Sequence, residues 1–216
     1  MTAALAFDHL VQAFHHQVAS RPDDRTGQKT QYAIEDAALG AFAVFCTQSP
    51  SFLASQRRMQ QAKGRSNAAS LCGIQDIPCE NQIRTRLDPV APARLFPVFE
   101  GLYGALERAG QVSAFRCFAG QLLMALDGTE SFASQAMPWA RCSQRTHAKG
   151  QVTYVHQAIT PVMVAPGQPA VIPLEPECIT PHDGHAKQKC EQVAAKRWIA
   201  RQAGRYRSVT ILGDDL

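Results

Sequence analysis

The sequence predicts an α+β / α/β chain in two parts: an all-helical front over residues 1–118, and an incomplete mixed β-sheet with one crossover helix over 119–216. Three observations predict it. A 3.6-residue apolar period runs up to about Phe118. After Gly120 the texture changes to short apolar and β-branched runs. A single long helical stretch then separates the fourth of these runs from the fifth.

In the front part the periodic segments are Leu5 to Ala19, Ala33 to Thr47, Ser51 to Ala62 and Ala91 to Ala109. Arg21-Pro22-Asp23-Asp24, Gln48-Ser49-Pro50 and Asp88-Pro89 punctuate them as linkers. Ser49, Pro50 and Ser51 together form a helix-start signal. A short helix carrying Arg84 and Arg86 is expected after the break at Pro78.

In the second part the strand candidates are Leu122 to Leu126, Val152 to His156, Ile159 to Ala165, Ala170 to Leu174 and Val209 to Leu212. The helix between the last two, Ala186 to Ala203, carries the apolar ladder Ala186, Cys190, Ala194, Trp198. A helical crossover usually returns the chain parallel to an earlier strand, so the last strand is expected to pair in parallel.

The bulk properties narrow the function classes. At 216 residues the chain is long enough to bury a good core in two compact units. The longest apolar run, Ala37 to Cys46, is too short to span a bilayer, and the first residues lack the basic leader and cleavage site of a secretory signal. Seven cysteines, an odd number with no C-x-x-C pair, read as reduced thiols. A net charge of +4 is a weak pointer to a polyanionic partner.

Chemistry concentrates at two strand ends, Leu122-Leu123-Met124-Ala125-Leu126-Asp127-Gly128-Thr129 and Val209-Thr210-Ile211-Leu212-Gly213-Asp214-Asp215. If these strands are parallel neighbours, their carboxylates emerge at one carboxyl-end edge, where open α/β sheets place their sites. Such a pair suits Mg²⁺ (or Mn²⁺), which takes a few carboxylates together with phosphates and water. The competing reading is structural: Asp-Gly is an ordinary turn signal, and Asp214 and Asp215 after Gly213 can cap a following helix.

Several separated motifs occur in a fixed order: Arg25-Thr26-Gly27, Glu35-Asp36 leading to Thr47-Gln48-Ser49-Pro50-Ser51-Phe52-Leu53, Ile83-Arg84-Thr85-Arg86-Leu87-Asp88, and Ala125-Leu126-Asp127-Gly128-Thr129. They continue as Thr160-Pro161-Val162, Ile172-Pro173-Leu174-Glu175-Pro176-Glu177, Asp183-Gly184, Ala194-Ala195-Lys196-Arg197-Trp198 and Gly213-Asp214-Asp215. Through these the chain resembles DDE-type insertion-sequence transposases of bacteria over nearly its whole length. The resemblance implies a ribonuclease-H-like catalytic core in which Asp127 is the first metal-binding aspartate and Asp214 the second, with Asp215 as a rival for that place. It implies Mg²⁺-dependent nicking at transposon ends followed by strand transfer.

The family's third carboxylate, a glutamate on a later helix, has no counterpart before Leu216. The resemblance therefore implies a C-terminally truncated enzyme, expected to be inactive or severely impaired and prone to aggregate through exposed sheet surface. The alternative expectation is a non-catalytic DNA-binding or regulatory protein occupying transposon ends. Glu175 and Glu177 are expected on an exposed edge, Asp183 as the cap of the crossover helix, and Glu191 as a solvated helix residue.

For DNA contacts the candidates are Arg57, Arg58 and Lys63 in an acid-free stretch, Arg84 and Arg86, and Lys196 and Arg197 on the basic crossover helix. The alternative for each is an ordinary solvated helix face. Expected partners are double-stranded DNA, as transposon ends and target, and a second copy in a homodimer, within the bacterial cytoplasm and nucleoid and without a membrane. A zinc site from Cys142, His147 and His156 is disfavoured because no C-x-x-C pair accompanies them.

Overall fold

The computed structural model describes residues 7–20, 34–62, 74, 78–136, 142–148, 150–184 and 187–214. The chain is mixed α+β and divides into two compact units, Met1–Ala105 and Leu106–Leu216. The division falls inside a helix and earlier than the expected boundary at 118.

The described elements that lie wholly in the first unit are helical: α1 (Phe7–Ala19), α2 (Ile34–Cys46), α3 (Phe52–Ala62), α4 (Glu80–Leu87) and a 3-10 turn at Pro92–Leu95. Helix α5 (Phe96–Arg108) follows that turn and crosses the division. Small residues let neighbours approach α2 closely, since Ala37 and Ala43 are fully buried in a core shared with Leu39, Ile74 and Ile83. Val11, Phe14, Phe52 and Leu87 pack against that core. The Phe14 and Phe42 rings lie 5.3 Å apart. The Ser51 hydroxyl accepts from the Ala54 amide at 3.1 Å, which is the N-cap that the Ser-Pro-Ser signal predicts.

The second unit contains β1 (Arg116–Cys117), β2 (Gln121–Leu126), β3 (Gly128–Ser134), β4 (Ser143–Thr146), β5 (Val152–Ile159), β6 (Val162–Val164), β7 (Ile172–Pro173), β8 (Glu177–Ile179), α6 (Lys187–Gln202) and β9 (Val209–Gly213). Strand β2 is antiparallel to β6, and β3 is antiparallel to β5. The Thr160 amide donates to the Asp127 carbonyl at 2.9 Å, so one register runs from the first pair into the second. Outside β5 and β6 lie β8 and β7, both antiparallel. Strand β9 pairs with β2 in parallel, as expected of a strand reached by a helical crossover.

Strands β1, β3 and β4 were absent from the sequence-based expectation, and the strand expected over Ala170 to Leu174 shrinks to Ile172–Pro173. Pro173 and Pro176 lack an N–H, so the chain around them cannot hold a continuous ladder. On β2, Leu122, Met124 and Leu126 are at most 2% exposed, each burial contributing roughly 1.5–3 kcal/mol. The ladder expected along α6 holds where it is described: Cys190, Ala194 and Trp198 are all buried. The Trp198 indole donates to the Glu175 carbonyl at 2.9 Å.

Two acidic expectations are corrected here. Glu175 and Glu177 are 2% and 7% exposed and do not lie on an exposed edge. Gln202 and Arg205 hold Glu175, and Arg197 and Arg201 hold Glu177. Asp183 does not cap α6. It closes a capping box with Thr180 on the 3-10 turn Pro181–Asp183 and is itself buried.

Candidate functional site

Five register pairs join β2 to β9, from Leu122 opposite Val209 to Leu126 opposite Gly213. The next residue on each strand is an aspartate, so Asp127 and Asp214 stand side by side where the two strands end. Both are exposed, although the β2 residues leading to Asp127 are largely buried. This is the carboxyl-end edge at which parallel strands present ligand-binding groups. Asp215 lies outside the described residues.

The backbone at Asp127 is fixed from the opposite side. Besides the Thr160 amide, the Thr160 and Thr129 hydroxyls meet at 2.8 Å across the same ladder. Asp127 is therefore held within a hydrogen-bonded strand pair, where the Asp-Gly turn reading would have the chain reverse.

Gly128 brings a third carboxylate close. A Cβ built on Gly128 would lie 2.3 Å from Glu191 Oε1 and 2.9 Å from its Cγ, so the Glu191 side chain of α6 passes directly over this glycine. Glu191 is half-buried, which corrects the expectation of a solvated helix residue. The absence of a side chain immediately after Asp127 is the local sequence signal for this approach. Beside these groups, α6 and the β2–β9 edge enclose an open cavity of about 530 Å³ bordered by Leu126, Gly213, Ile211, Ile199 and Lys196.

The predicted cations differ in their surroundings. Lys196 is exposed and borders the cavity. The Arg197 guanidinium is engaged by carboxylates: it lies 2.5 Å from Glu177 Oε1 and 2.6 Å from Asp183 Oδ1, and donates to the Cys178 carbonyl at 2.9 Å. Burial pushes the Asp183 carboxyl up, but the Arg197 hydrogen bond, the Thr180 amide and the Arg197 charge together hold it below its ordinary range. The hydrogen bond to Asp183 in turn pushes the Arg197 pKa up. In the first unit Arg57 and Arg58 are exposed on α3, Arg84 pairs with Glu80 at 2.5 Å, and Arg86 is half-buried. Lys63 lies outside the described residues.

Cys142 is buried, His147 bonds the Thr153 hydroxyl at 2.9 Å, and the His156 ring meets Phe132 edge-on. Among the described residues no group of three or more His, Cys, Asp or Glu side chains converges as a metal cage. Two exposed aspartates at one edge still offer the oxygen donors that a hard cation takes when phosphates and water complete its shell. No helix among the described residues is long and apolar enough to cross a membrane. No family model, no curated protein and no solved structure matches this chain.

Proposed function

We propose that the edge formed by the ends of β2 and β9 is the metal-dependent phosphoryl-transfer site of a DNA transposase with a ribonuclease-H-like core. One observation carries the reading: the parallel register ending at Leu126 opposite Gly213 sets Asp127 beside Asp214. The strand arrangement supports it, with antiparallel β7/β8, β5/β6 and β2/β3 followed by a parallel β9 reached through one helix. Asp127 and Asp214 would hold Mg²⁺ or Mn²⁺, which when bound stabilises charge on the attacking and leaving oxygens of a phosphodiester. Glu191, passing over Gly128, adds negative charge beside Asp127, and exposed Lys196 offers a phosphate contact on the same side of the sheet.

A second reading, a DNA-binding protein without nuclease activity, is favoured by a separate observation: Arg57 and Arg58 are both exposed on a helix whose described residues carry no acid. The two readings separate in one experiment. The chain is titrated onto duplex DNA at several salt concentrations, and nicking of supercoiled plasmid is followed with Mg²⁺ or Mn²⁺. Mn²⁺ binding at the edge that Asp127→Ala abolishes supports the transposase site, with nicking expected to be severely impaired or absent. Salt-sensitive binding, with no nicking and no Mn²⁺ bound at the aspartates, supports the second reading and removes the first.

A further inference from the structure

We propose that the amino end of β2 carries a binding site for an unpaired nucleic-acid strand, in which the Phe118 ring stacks on a base and Arg116 and Arg207 meet the flanking phosphates. This end lies opposite the aspartate edge: Asp127 follows the last residue of β2, and the turn Phe118–Gly120 precedes its first. Strand β1 flanks β2 there on one side, with Arg116 opposite Leu122, and β9 flanks it on the other, with Val209 opposite the same Leu122. The backbones that carry the two arginines are therefore two strand spacings apart, roughly 10 Å. The Leu122 amide donates to the Ser208 carbonyl at 2.8 Å, which fixes the residue next to Arg207.

The backbone at this end is strained. Four non-glycine residues among those described have positive φ, and three of them meet here: Phe118 at 20°, Ala119 at 54° and Ser208 at 56°. L side chains avoid this region, whereas glycine occupies it freely. Burial does not offset the strain at Phe118, which is 73% exposed. A tight turn that displays an aromatic ring to solvent supplies the platform on which an unpaired base stacks. Base faces are open in a single strand and covered in a duplex, so the ring selects the unpaired strand.

Charge selects nucleic acid over an apolar protein surface. The two segments that meet at this end, residues 108–126 and 192–213, contain no acid. Glu177 and Glu175 engage Arg201 and Arg205. Arg116 is exposed and donates to the Gly120 carbonyl at 2.8 Å, which keeps its guanidinium on the turn that displays Phe118, and Arg207 is exposed as well. A ring flanked by two cations matches a base flanked by phosphates.

The test is fluorescence anisotropy of a labelled oligodeoxythymidylate, and of a duplex of equal length, titrated with the full chain over a salt series. A chelating buffer keeps metal from the aspartate edge, so the outcome is independent of the metal reading; a matching oligouridylate tells a DNA strand from an RNA one. Phe118→Leu, apolar but without a π face, is expected to weaken single-strand binding roughly tenfold while changing duplex binding less than about twofold. Phe118→Trp should bind the single strand at least as tightly as wild type. Arg207→Ala should lower the single-strand salt slope by about 0.7. Phe118→Gly relieves the positive φ, so it should unfold thermally no earlier than wild type and still lose the single-strand affinity. No single-strand binding by the wild type at low salt, an equal loss on the duplex, or earlier unfolding of Phe118→Gly, as expected of a ring packed against protein, would overturn the proposal.

Discussion

Asp127 and Asp214 sit directly beyond Leu126 and Gly213, the last pair of a five-residue parallel register between β2 and β9. The pairing makes the two carboxylates one edge feature although they are far apart along the chain. If they share a cation, replacing either one should lower Mn²⁺ affinity by a similar factor, measured by electron paramagnetic resonance of free Mn²⁺. Asp215→Ala should leave affinity near wild type, because the register assigns the first place beyond the strand to Asp214. A loss confined to Asp215→Ala would move the second ligand by one residue.

Gly128 and Glu191 supply a second prediction. An alanine methyl at 128 would meet the Glu191 Oε1, Cδ and Cγ atoms all within 3 Å, so more than the tip of the side chain has to move. Gly128→Ala should destabilise the chain by roughly 1–3 kcal/mol, the usual cost of overpacking. Glu191→Ala in the same chain should return most of that loss. Chemical denaturation of the two single variants and the double variant gives the coupling directly. Additive losses would mean that the glutamate does not oppose the methyl.

These contacts mark where the sequence was legible. Strands β2 and β9, the crossover helix and the parallel pairing announce themselves in apolar runs and a helical period, although only β2 is buried and β9 is half-buried to exposed. The aspartate pair follows from those strands alone. Strand β3, Gly-Thr-Glu-Ser-Phe-Ala-Ser, is polar and largely exposed, and it exists because it continues β2 past Asp127 against β5. No local pattern encodes that pairing. Glu175 and Glu177 misled for a related reason: carboxylates flanking Pro176 read as surface until Arg197 of α6 and Arg205 just beyond it, twenty and thirty residues later, are known to cover them.

Those arginines define the third prediction. Arg197 bridges Glu177 and Asp183, two carboxylates that are at most 7% exposed, while its own side chain is 40% exposed. Removing it leaves Asp183 buried without the counter-charge that Arg197 supplies, and Glu177 with Arg201 alone. Arg197→Ala should therefore cost about 3 kcal/mol, the lower end for breaking a buried pair because water reaches the guanidinium side. Arg197→Lys should recover only part of this, since one ammonium cannot reproduce the forked contact to two acids and the Cys178 carbonyl. Thermal unfolding of the two variants side by side checks the order.

The same network sets a pH dependence. Asp183 has its pKa lowered in the folded chain relative to the ordinary carboxylate value of 3.8. Desolvation opposes this, but the hydrogen bonds from Arg197 and Thr180 outweigh it. A carboxylate with a depressed folded pKa contributes stability that is complete above its unfolded value and disappears as pH falls through the folded one. The Asp183 contribution should therefore be constant at neutral pH and fade only below pH 3.8. Asp183→Asn removes the titrating group while keeping its shape, so the variant should be less stable than wild type at pH 7, with the gap between them narrowing in acid. Denaturant midpoints measured from pH 7 down to the acid transition give that difference curve. A gap that stays constant through the acid limb would show that Asp183 does not draw its stability from the charge on its carboxylate.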